Sequence, residues 1–184
     1  MNYVLKPSAT LFITAAATVA LLTVVHALTL EPIEQQKRRT QEAAMSAVLP
    51  QASEYREISV EKTGSIIAIY EGLRGGVLAG YAVQLSPEGY SGKIDLIVGI
   101  SALDKKITGM RVLRHSETPG LGALAVKEDF YRRYDNRELV PMGVVRAFPD
   151  KHEVSAITSA TITTKAITGA VNEAIEWYNG GGGR

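Results

Sequence analysis

The 184-residue chain contains no cysteine. This absence excludes disulfide bonds, cysteine-ligated zinc, iron–sulfur clusters and thiolate nucleophiles, and it leaves the redox compartment open. A formal net charge of +1 gives no electrostatic case for binding nucleic acid. The three histidines, His26, His115 and His152, are far apart and show no metal-ligand spacing. The composition therefore predicts neither a nucleic-acid partner nor a metal site.

Charged residues are also absent between Lys6 and Glu31. About 20 apolar residues span a bilayer as a helix, so residues 9–30 are predicted to form a transmembrane helix after a short N-terminal segment, 1–8. A cleaved signal peptide is the alternative, but its apolar core is usually only about 7–15 residues long. The residues after His26 are also a poor cleavage site. We therefore expect a retained single-pass anchor in the lipid bilayer.

The segment that follows the apolar stretch is polar and charged. Residues 31–50 are predicted to form a helical stalk that begins near Pro32 and ends at Pro50. Lys6 lies on one side of the apolar stretch and the basic triplet 37–39 on the other. The positive-inside rule alone favours a cytoplasmic location for the larger domain, but the charges by themselves leave the side of the membrane open.

From Tyr55 onward the apolar residues recur with a period of two, as they do in half-buried strands. The strand-like segments are Ile58 with Val60, Ile67 with Ile69, Val77 to Val83, an apolar run over 94–100, and a returning strand over 107–114 after a hairpin turn at 104–106. This order predicts an antiparallel meander, which needs no crossover helix.

Helical spacing of apolar residues replaces this alternation later in the chain. The further predicted elements are a helix over 123–134, short strands over 144–148 and 154–157, a final helix over 162–178 with Ile162 on its buried face, and a flexible glycine tail over 180–184. Strands followed by helices indicate an α+β fold, with an antiparallel sheet and packed helices over residues 51–179.

A hydroxyl-rich turn precedes the final helix. It runs from Ser155 to Ile167 and places several serine and threonine side chains around the helix start. A helix N-terminus presents unpaired N–H groups and positive dipole charge, which suit a phosphate. Thr161, at or next to the N-cap, is best placed to present its oxygen there. The alternative is that Thr158 or Thr161 only caps the helix, a contribution of about 1 kcal/mol.

A second segment of interest runs from His115 to Gly122. Its Pro-Gly pair predicts a tight turn, and Gly122 allows a backbone or a flat ligand to approach closely. Glu117 and Thr118 are polar groups on a loop at a strand end, a common position for binding residues. Glu117 could accept a hydrogen bond from an imide-like N–H of a ring. The alternative is a plain strand-to-helix connection with an exposed glutamate.

These segments together resemble a known family. The residues Thr158-Ser-Ala-Thr161-Ile-Thr resemble the Ser/Thr-Gly-Ala-Thr-x-Thr signature of FMN-binding domains, in which FMN is linked through its phosphate to the last threonine of the Ser/Thr-Gly-Ala-Thr core. The run His115–Gly122 resembles the accompanying loop in the G subunit of the Rnf electron-transport complex, and 89–99 resembles that family's strand entry. The C subunit of the sodium-pumping NADH:quinone reductase is a related alternative. The chain departs from the signature at Ser159, where the family usually has glycine, and at Ser155, where it usually has aspartate.

The resemblance implies a cofactor and a set of site residues. FMN would be attached covalently to Thr161 by a flavin transferase, within an FMN-binding domain over 51–179. The loop residues His115, Glu117, Thr118, Leu121 and Gly122 would contact the ring or the ribityl chain, while Thr158, Ser159 and Ala160 would line the phosphate end and Lys165 would help to neutralise it.

The resemblance also implies a location and a role. The flavin domain would lie outside the cytoplasmic membrane, against the weak indication from the loop charges. The protein would relay electrons with the membrane, iron–sulfur and flavin subunits of a complex that couples ferredoxin and NAD⁺ to Na⁺ or H⁺ movement, and would not be catalytic alone. A non-redox assembly protein of a membrane complex and a domain that binds flavin reversibly are the alternatives.

Overall fold

A computed structural model describes residues 2–59 and 63–183 of the chain. Val60, predicted in a strand, and the terminal residues Met1 and Arg184 lie outside the described residues. The chain divides into two compact units, Met1–Gln41 and Glu42–Arg184.

The first helix, α1, runs without interruption from Asn2 to Val48. Its stretch from Pro7 onward is long and apolar enough to cross a membrane, and the large apolar side chains from Leu11 to Ile33 are exposed. The predicted transmembrane helix and stalk therefore share one helix, which ends just before Pro50 as expected. Pro32 was predicted to begin a second helix and lies inside α1 instead. Proline removes one helical hydrogen bond, and the regular bonds on either side maintain the helix.

Threonine hydroxyls within the apolar stretch of α1 are satisfied inside the helix. The hydroxyls of Thr18 and Thr23 donate to the carbonyl oxygens of Thr14 and Val19, each at 2.8 Å, and Thr29 donates to Val25 at 2.9 Å. In hydrocarbon every polar group needs an internal partner. These bonds make the threonines compatible with a lipid environment.

The sheet of the second unit is antiparallel and follows the chain order. Its strands are β1 (Glu54–Ile58), β2 (Ile66–Arg74), β3 (Val77–Leu85), β4 (Asp95–Ser101), β5 (Lys106–Arg114) and β6 (Arg137–Glu138), each paired with the next. The predicted meander is confirmed. Gly75 and Gly76, with φ of 57° and 80°, form the two-residue turn between β2 and β3, because such turns require positive φ at both positions.

The prediction of one continuous helix over 123–134 is wrong. The structure has a 3₁₀ turn at Gly122–Val126, a short helix α2 at Glu128–Tyr131 and a further 3₁₀ turn at Arg132–Tyr134. Lys127, with φ of −80° and ψ of 149°, is extended and interrupts the helical path. Apolar spacing alone does not reveal such a break.

The remaining elements complete the second unit. They are a parallel strand pair, β7 (Gly143–Val145) and β8 (Glu153–Ser155), the helix α3 (Thr161–Trp177) and a π-helical turn at Tyr178–Gly182. The strand predicted over 144–148 is shorter than expected: it ends at Val145, and Phe148, with a φ of 55°, is 96% exposed. The flexible tail over 180–184 stays a prediction.

The two faces of the main sheet are covered by different elements. Helix α3 packs on one face through fully buried residues such as Ile167 and Val171. The last turns of α1 cover the other face, where Val48 and Leu49 pack with Ala82. The compact unit therefore starts at Glu42, earlier than the boundary at residue 51 that the sequence indicates.

Candidate functional site

A cavity of about 380 Å³ lies where three segments of the second unit meet: the β3–β4 connection, the loop after β5 and the start of α3. This volume is within the usual range for small-molecule sites, about 300–1,000 Å³. A cavity of about 460 Å³ beside β6 is larger, but none of the predicted site residues lines it. The residues that line the smaller cavity are Tyr90, Glu117, Thr118, Leu121, Gly122, Ser159, Ala160, Thr161, Ile162 and Thr163.

Seven of these lining residues belong to the set that the sequence predicts. The other three predicted residues do not line the cavity. His115 Nδ1 accepts the N–H of Glu117 at 3.1 Å, so this ring nitrogen is already hydrogen-bonded within the loop. Thr158 and Lys165 are exposed outside the cavity lining. The two predicted segments thus come together in space, but not with every side chain that the resemblance implies.

Three lining residues were missed by sequence reasoning. Tyr90 is 70% exposed at the cavity and belongs to the glycine-rich stretch that was interpreted only as a strand entry. Ile162 was assigned to the buried face of the last helix, but it is 56% exposed. Thr163 was recognised only as one more hydroxyl. Helical spacing predicted Ile162 on the core side, but in the first turn of α3 its side chain lines the cavity instead.

Glu117 is the one ionisable side chain that lines the cavity among the described residues, apart from the phenol of Tyr90, and it is only 6% exposed. Its Oε1 accepts the N–H groups of Tyr90 at 2.8 Å and Ser91 at 2.9 Å, and its Oε2 accepts the hydroxyl of Thr163 at 2.6 Å. Burial raises the pKa of this carboxyl, but these hydrogen bonds outweigh burial, so the net pKa lies below its ordinary value of 4.5. Glu117 is therefore an anion held by three donors.

Two glycines make room for this carboxylate. A side chain at Gly89 would collide with Glu117 Oε1, and a side chain at Gly122 would collide with Glu117 Oε2 and the hydroxyl oxygen of Thr163. Gly122 therefore serves the close packing of protein groups. The sequence indicated that a backbone or a flat ligand approaches Gly122 closely. The structure shows that the hydrogen-bonded side chains of Glu117 and Thr163 lie next to it.

The N-terminus of α3 has no side-chain cap. The N-cap residue is Ala160, and the first helical hydrogen bond runs from Thr164 N to Ala160 O at 3.1 Å. The N–H groups of the first three helical residues, 161–163, therefore have no acceptor within the helix. The alternative that Thr158 or Thr161 only caps the helix is wrong, because neither hydroxyl caps it.

The hydroxyl groups of the first turn differ in their environments. Thr163 donates to Glu117, and Thr164 donates to Ala160 O at 3.0 Å while accepting the N–H of Ile157 at 3.1 Å. Both side chains are fully buried. Thr161 is partly exposed and lines the cavity, and within residues 2–59 and 63–183 its hydroxyl has no hydrogen-bond partner. The structure thus separates one accessible threonine from two that are structural.

Comparison with known proteins gives two family matches along the chain. A family model described as an FMN-binding domain matches residues 89–176, which include every residue that lines the cavity. A second, described as an RnfG N-terminal region, matches residues 1–48, which include α1.

Individual relatives match over nearly the whole chain. The G subunit of the Na(+)-translocating ferredoxin:NAD(+) oxidoreductase complex of Acetobacterium woodii is 34% identical, over 95% of this chain and 91% of that protein. The G subunit of an ion-translocating oxidoreductase complex of Methanosarcina acetivorans is 30% identical, over 95% and 94%.

Solved structures show the same fold at lower identity. The C subunit of the Na(+)-translocating NADH-quinone reductase from Parabacteroides distasonis superposes with a TM-score of 0.62 at 16% identity, over 82% of this chain and 95% of that chain. NqrC of Shewanella oneidensis gives 0.53 at 22% identity, over 59% and 54%.

Proposed function

Because this chain belongs to the G-subunit family of ion-translocating ferredoxin:NAD(+) oxidoreductase complexes, we propose that it carries electrons through FMN esterified to Thr161. The chain is an electron-transport protein with an FMN-binding domain of α+β fold. We propose three features: the covalent bond to Thr161, the residues that contact the flavin, and the side of the membrane on which the flavin domain lies.

The accessibility of Thr161 is the single observation that carries this proposal. Its hydroxyl is the one in the first turn of α3 that is partly exposed, lines the cavity and makes no hydrogen bond among the described residues. It also lies beside the N–H groups of residues 161–163, which have no acceptor within the helix and which together with the helix dipole stabilise phosphate charge. A phosphoester at this oxygen would therefore place its charge where the backbone offers donors.

The cavity also suits the other end of the cofactor. Its rim carries exposed apolar surface from Tyr90, Leu121 and Ile162, with Leu121 40% exposed, and a flat aromatic ring buries such surface favourably. When bound, FMN supplies one- and two-electron transfer at its ring. The residues of the chain bind and orient that ring, and the ester keeps it from dissociating between turnovers.

The departure from the family signature at Ser159 does not oppose this assignment. Ser159 has a φ of 63° and so adopts the left-handed conformation that glycine favours. The turn before α3 thus keeps the backbone shape that a glycine would give it.

The family and the helix α1 together support a membrane location and a set of partner subunits. We propose that α1 is a retained single-pass anchor in the cytoplasmic membrane, with the flavin domain outside. The partners would be the other membrane, iron–sulfur and flavin subunits of the complex, and a flavin transferase would attach FMN. The relatives are subunits of such complexes, and one helix of this chain is long and apolar enough to span a bilayer.

The covalent bond is tested with the full chain, coexpressed with a flavin transferase. On a denaturing gel under ultraviolet light we expect a fluorescent band that disappears in Thr161→Val and persists in the matched control Thr158→Val. Intact mass should increase by one FMN less one water in the wild type and in the control.

The other outcomes identify the alternatives. Flavin that is released on denaturation, leaving a dark band, would show reversible binding and contradict the ester. A wild-type protein without any flavin after coexpression would instead support a non-redox assembly role.

A further inference from the structure

Glu117 joins three segments around the cavity. It lies in the loop after β5, its Oε1 accepts the two backbone N–H groups of the β3–β4 connection, and its Oε2 accepts the Thr163 hydroxyl of α3. We propose that Glu117 is a positioning residue that fixes Tyr90 as an aromatic wall of the flavin site, and that it does not contact the flavin itself. This inference rests on the proposed function.

The carboxylate of Glu117 is occupied by protein donors. Each carboxylate oxygen has about two acceptor positions, and the N–H groups of Tyr90 and Ser91 fill those of Oε1. Oε2 accepts Thr163 at 2.6 Å, and the side chain is 6% exposed. The sequence suggested that Glu117 accepts a hydrogen bond from a ring N–H. The geometry favours an indirect role, because three protein donors already engage the carboxylate and join it to the Tyr90 loop and to α3.

The backbone on either side of Tyr90 is held tightly. Gly89 N donates to Gly92 O at 2.8 Å, and Ile94 N donates to Pro87 O at 3.0 Å. Gly92 has a φ of 130°, and there is no space for a side chain at Gly89 next to Glu117. With its own N–H bound to Glu117, Tyr90 sits on a short loop whose main chain has little freedom to move.

The side chain of Tyr90 is by contrast exposed. It is 70% exposed while it lines the cavity, and among the described residues it takes part in no ring-to-ring contact. An aromatic side chain on a fixed backbone at a cavity rim suits offset stacking on a planar aromatic ligand. The isoalloxazine ring is such a ligand, so Tyr90 is its predicted aromatic contact and Glu117 determines where Tyr90 stands.

The first experiment needs no flavin. In the full chain in detergent with Thr161→Val, which has no attachment oxygen, amide hydrogen exchange is measured over residues 88–92. Glu117→Gln should speed exchange there about tenfold, because an amide group replaces a charged acceptor of two N–H bonds. Thr163→Val should have a smaller effect, since it removes only the bond to Oε2. The control Glu176→Gln, at an exposed glutamate of α3, should leave exchange unchanged.

The second experiment uses the flavin-loaded full chain. Tyr90→Leu should raise the fluorescence per attached flavin severalfold, because a stacked tyrosine quenches it, and should leave the exchange of Ser91 unchanged. Glu117→Gln should raise the fluorescence per attached flavin in the same direction. Tyr90→Phe keeps an aromatic face and should restore most of the quenching.

The outcomes separate the inference from the proposed function. Exchange and fluorescence in Glu117→Gln equal to those in Glu176→Gln would overturn the role of Glu117. Fluorescence in Tyr90→Leu equal to that of the wild type would overturn the placement of Tyr90 against the flavin. This variant can still be measured if Glu117→Gln does not fold. A wild-type chain without flavin would defeat the proposed function, whereas the exchange experiment would still decide whether Glu117 holds the loop.

Discussion

Ser159 occupies a backbone conformation that its side chain disfavours. Its φ of 63° lies in the left-handed region, which costs a residue with a Cβ about 1–2 kcal/mol, while glycine adopts it without that penalty. Ser159→Gly should therefore stabilise the full chain by about 0.5–1 kcal/mol after the greater flexibility of unfolded glycine is included. The shift in the midpoint of chemical unfolding measures this effect.

A serine with an ordinary backbone provides the matched control. Ser155 lies in β8 and is not among the residues with positive φ. Ser155→Gly should lower stability, because glycine weakens a strand. Equal effects of the two substitutions would contradict strain at Ser159.

Glu117 makes stability depend on pH. Its folded-state pKa lies below the ordinary value of 4.5, because hydrogen bonds to the carboxylate outweigh the effect of burial. The ionised group therefore stabilises the fold fully above about pH 4.5, and this contribution is lost as pH falls through the lower folded-state pKa. Unfolding midpoints measured through this range should decline less in Glu117→Gln than in the wild type. Glu176→Gln should keep the wild-type decline.

The sequence predicted the location of the site better than the roles of its residues. Sequence reasoning grouped Thr161 and Gly122 as contacts of one ligand, and both residues line the same cavity; that they bind FMN stays a prediction. The engagement of Glu117 with Tyr90, Ser91 and Thr163 could not be predicted, because it depends on three segments that meet only after folding. A motif identifies residues along the chain, but it does not show which of them are already bound to one another.

At the scale of elements, the end of α1 fits against the sheet because Gly99 has no side chain. A Cβ at Gly99 would collide with the carbonyl oxygen of Val48 and the hydroxyl of Thr108. Gly99→Ala should therefore destabilise the second unit by about 1–3 kcal/mol, as overpacking in a rigid contact does. Denaturant unfolding of the full chain measures the loss.

The same substitution should have the opposite effect at Gly169. This glycine lies in the interior of α3, and among the described residues no atom beyond its chain neighbours and the adjacent helix backbone is near enough to meet an added Cβ. Gly169→Ala should stabilise the chain by up to about 1 kcal/mol through helix propensity. If Gly99→Ala behaved like Gly169→Ala, the close contact with α1 would be refuted.

The strands were predictable and the middle helices were not, for a physical reason. Period-two alternation identifies a half-buried strand wherever one face meets a core, and this pattern located the main strands of the sheet. The segment from Gly122 to Tyr134 has apolar residues at helical spacing, but Lys127 is extended and divides it into short turns. Tertiary contacts of those turns, which local spacing does not encode, decide where the helix breaks.

At the scale of the whole molecule, the structure predicts where the folded domain begins. A fragment that starts at Glu42 keeps Val48 and Leu49, both fully buried against the sheet. A fragment that starts at Gln51 loses both side chains, which together contribute about 3–6 kcal/mol of burial. Since domains have only about 5–15 kcal/mol of stability, we expect 42–184 to unfold cooperatively and 51–184 to be largely unfolded, as circular dichroism would show. Equal stability of the two fragments would contradict the packing of α1 on the sheet.

The absence of cysteine makes the side of the membrane directly measurable. Phe148→Cys, at a position that is 96% exposed, should react with a membrane-impermeant maleimide in intact cells. Asn2→Cys, before the apolar stretch, should react only after the membrane is permeabilised. The native chain gives no background, because it has no thiol of its own. The reverse pattern would place the domain in the cytoplasm, as the positive-inside rule alone suggests.

The burial of Thr163 and Thr164 has a consequence for the order of events in biogenesis. An unfolded chain would offer a modifying enzyme several neighbouring hydroxyls with similar chemistry, whereas the folded domain engages these two internally and leaves Thr161 accessible. If Thr161 carries the proposed ester, selection within the first turn of α3 is thus a property of the native substrate, and the enzyme has to discriminate only against the exposed hydroxyls of Thr158 and Ser159. Folding should precede modification, and a nascent chain trapped before α3 docks should be a poor or indiscriminate acceptor.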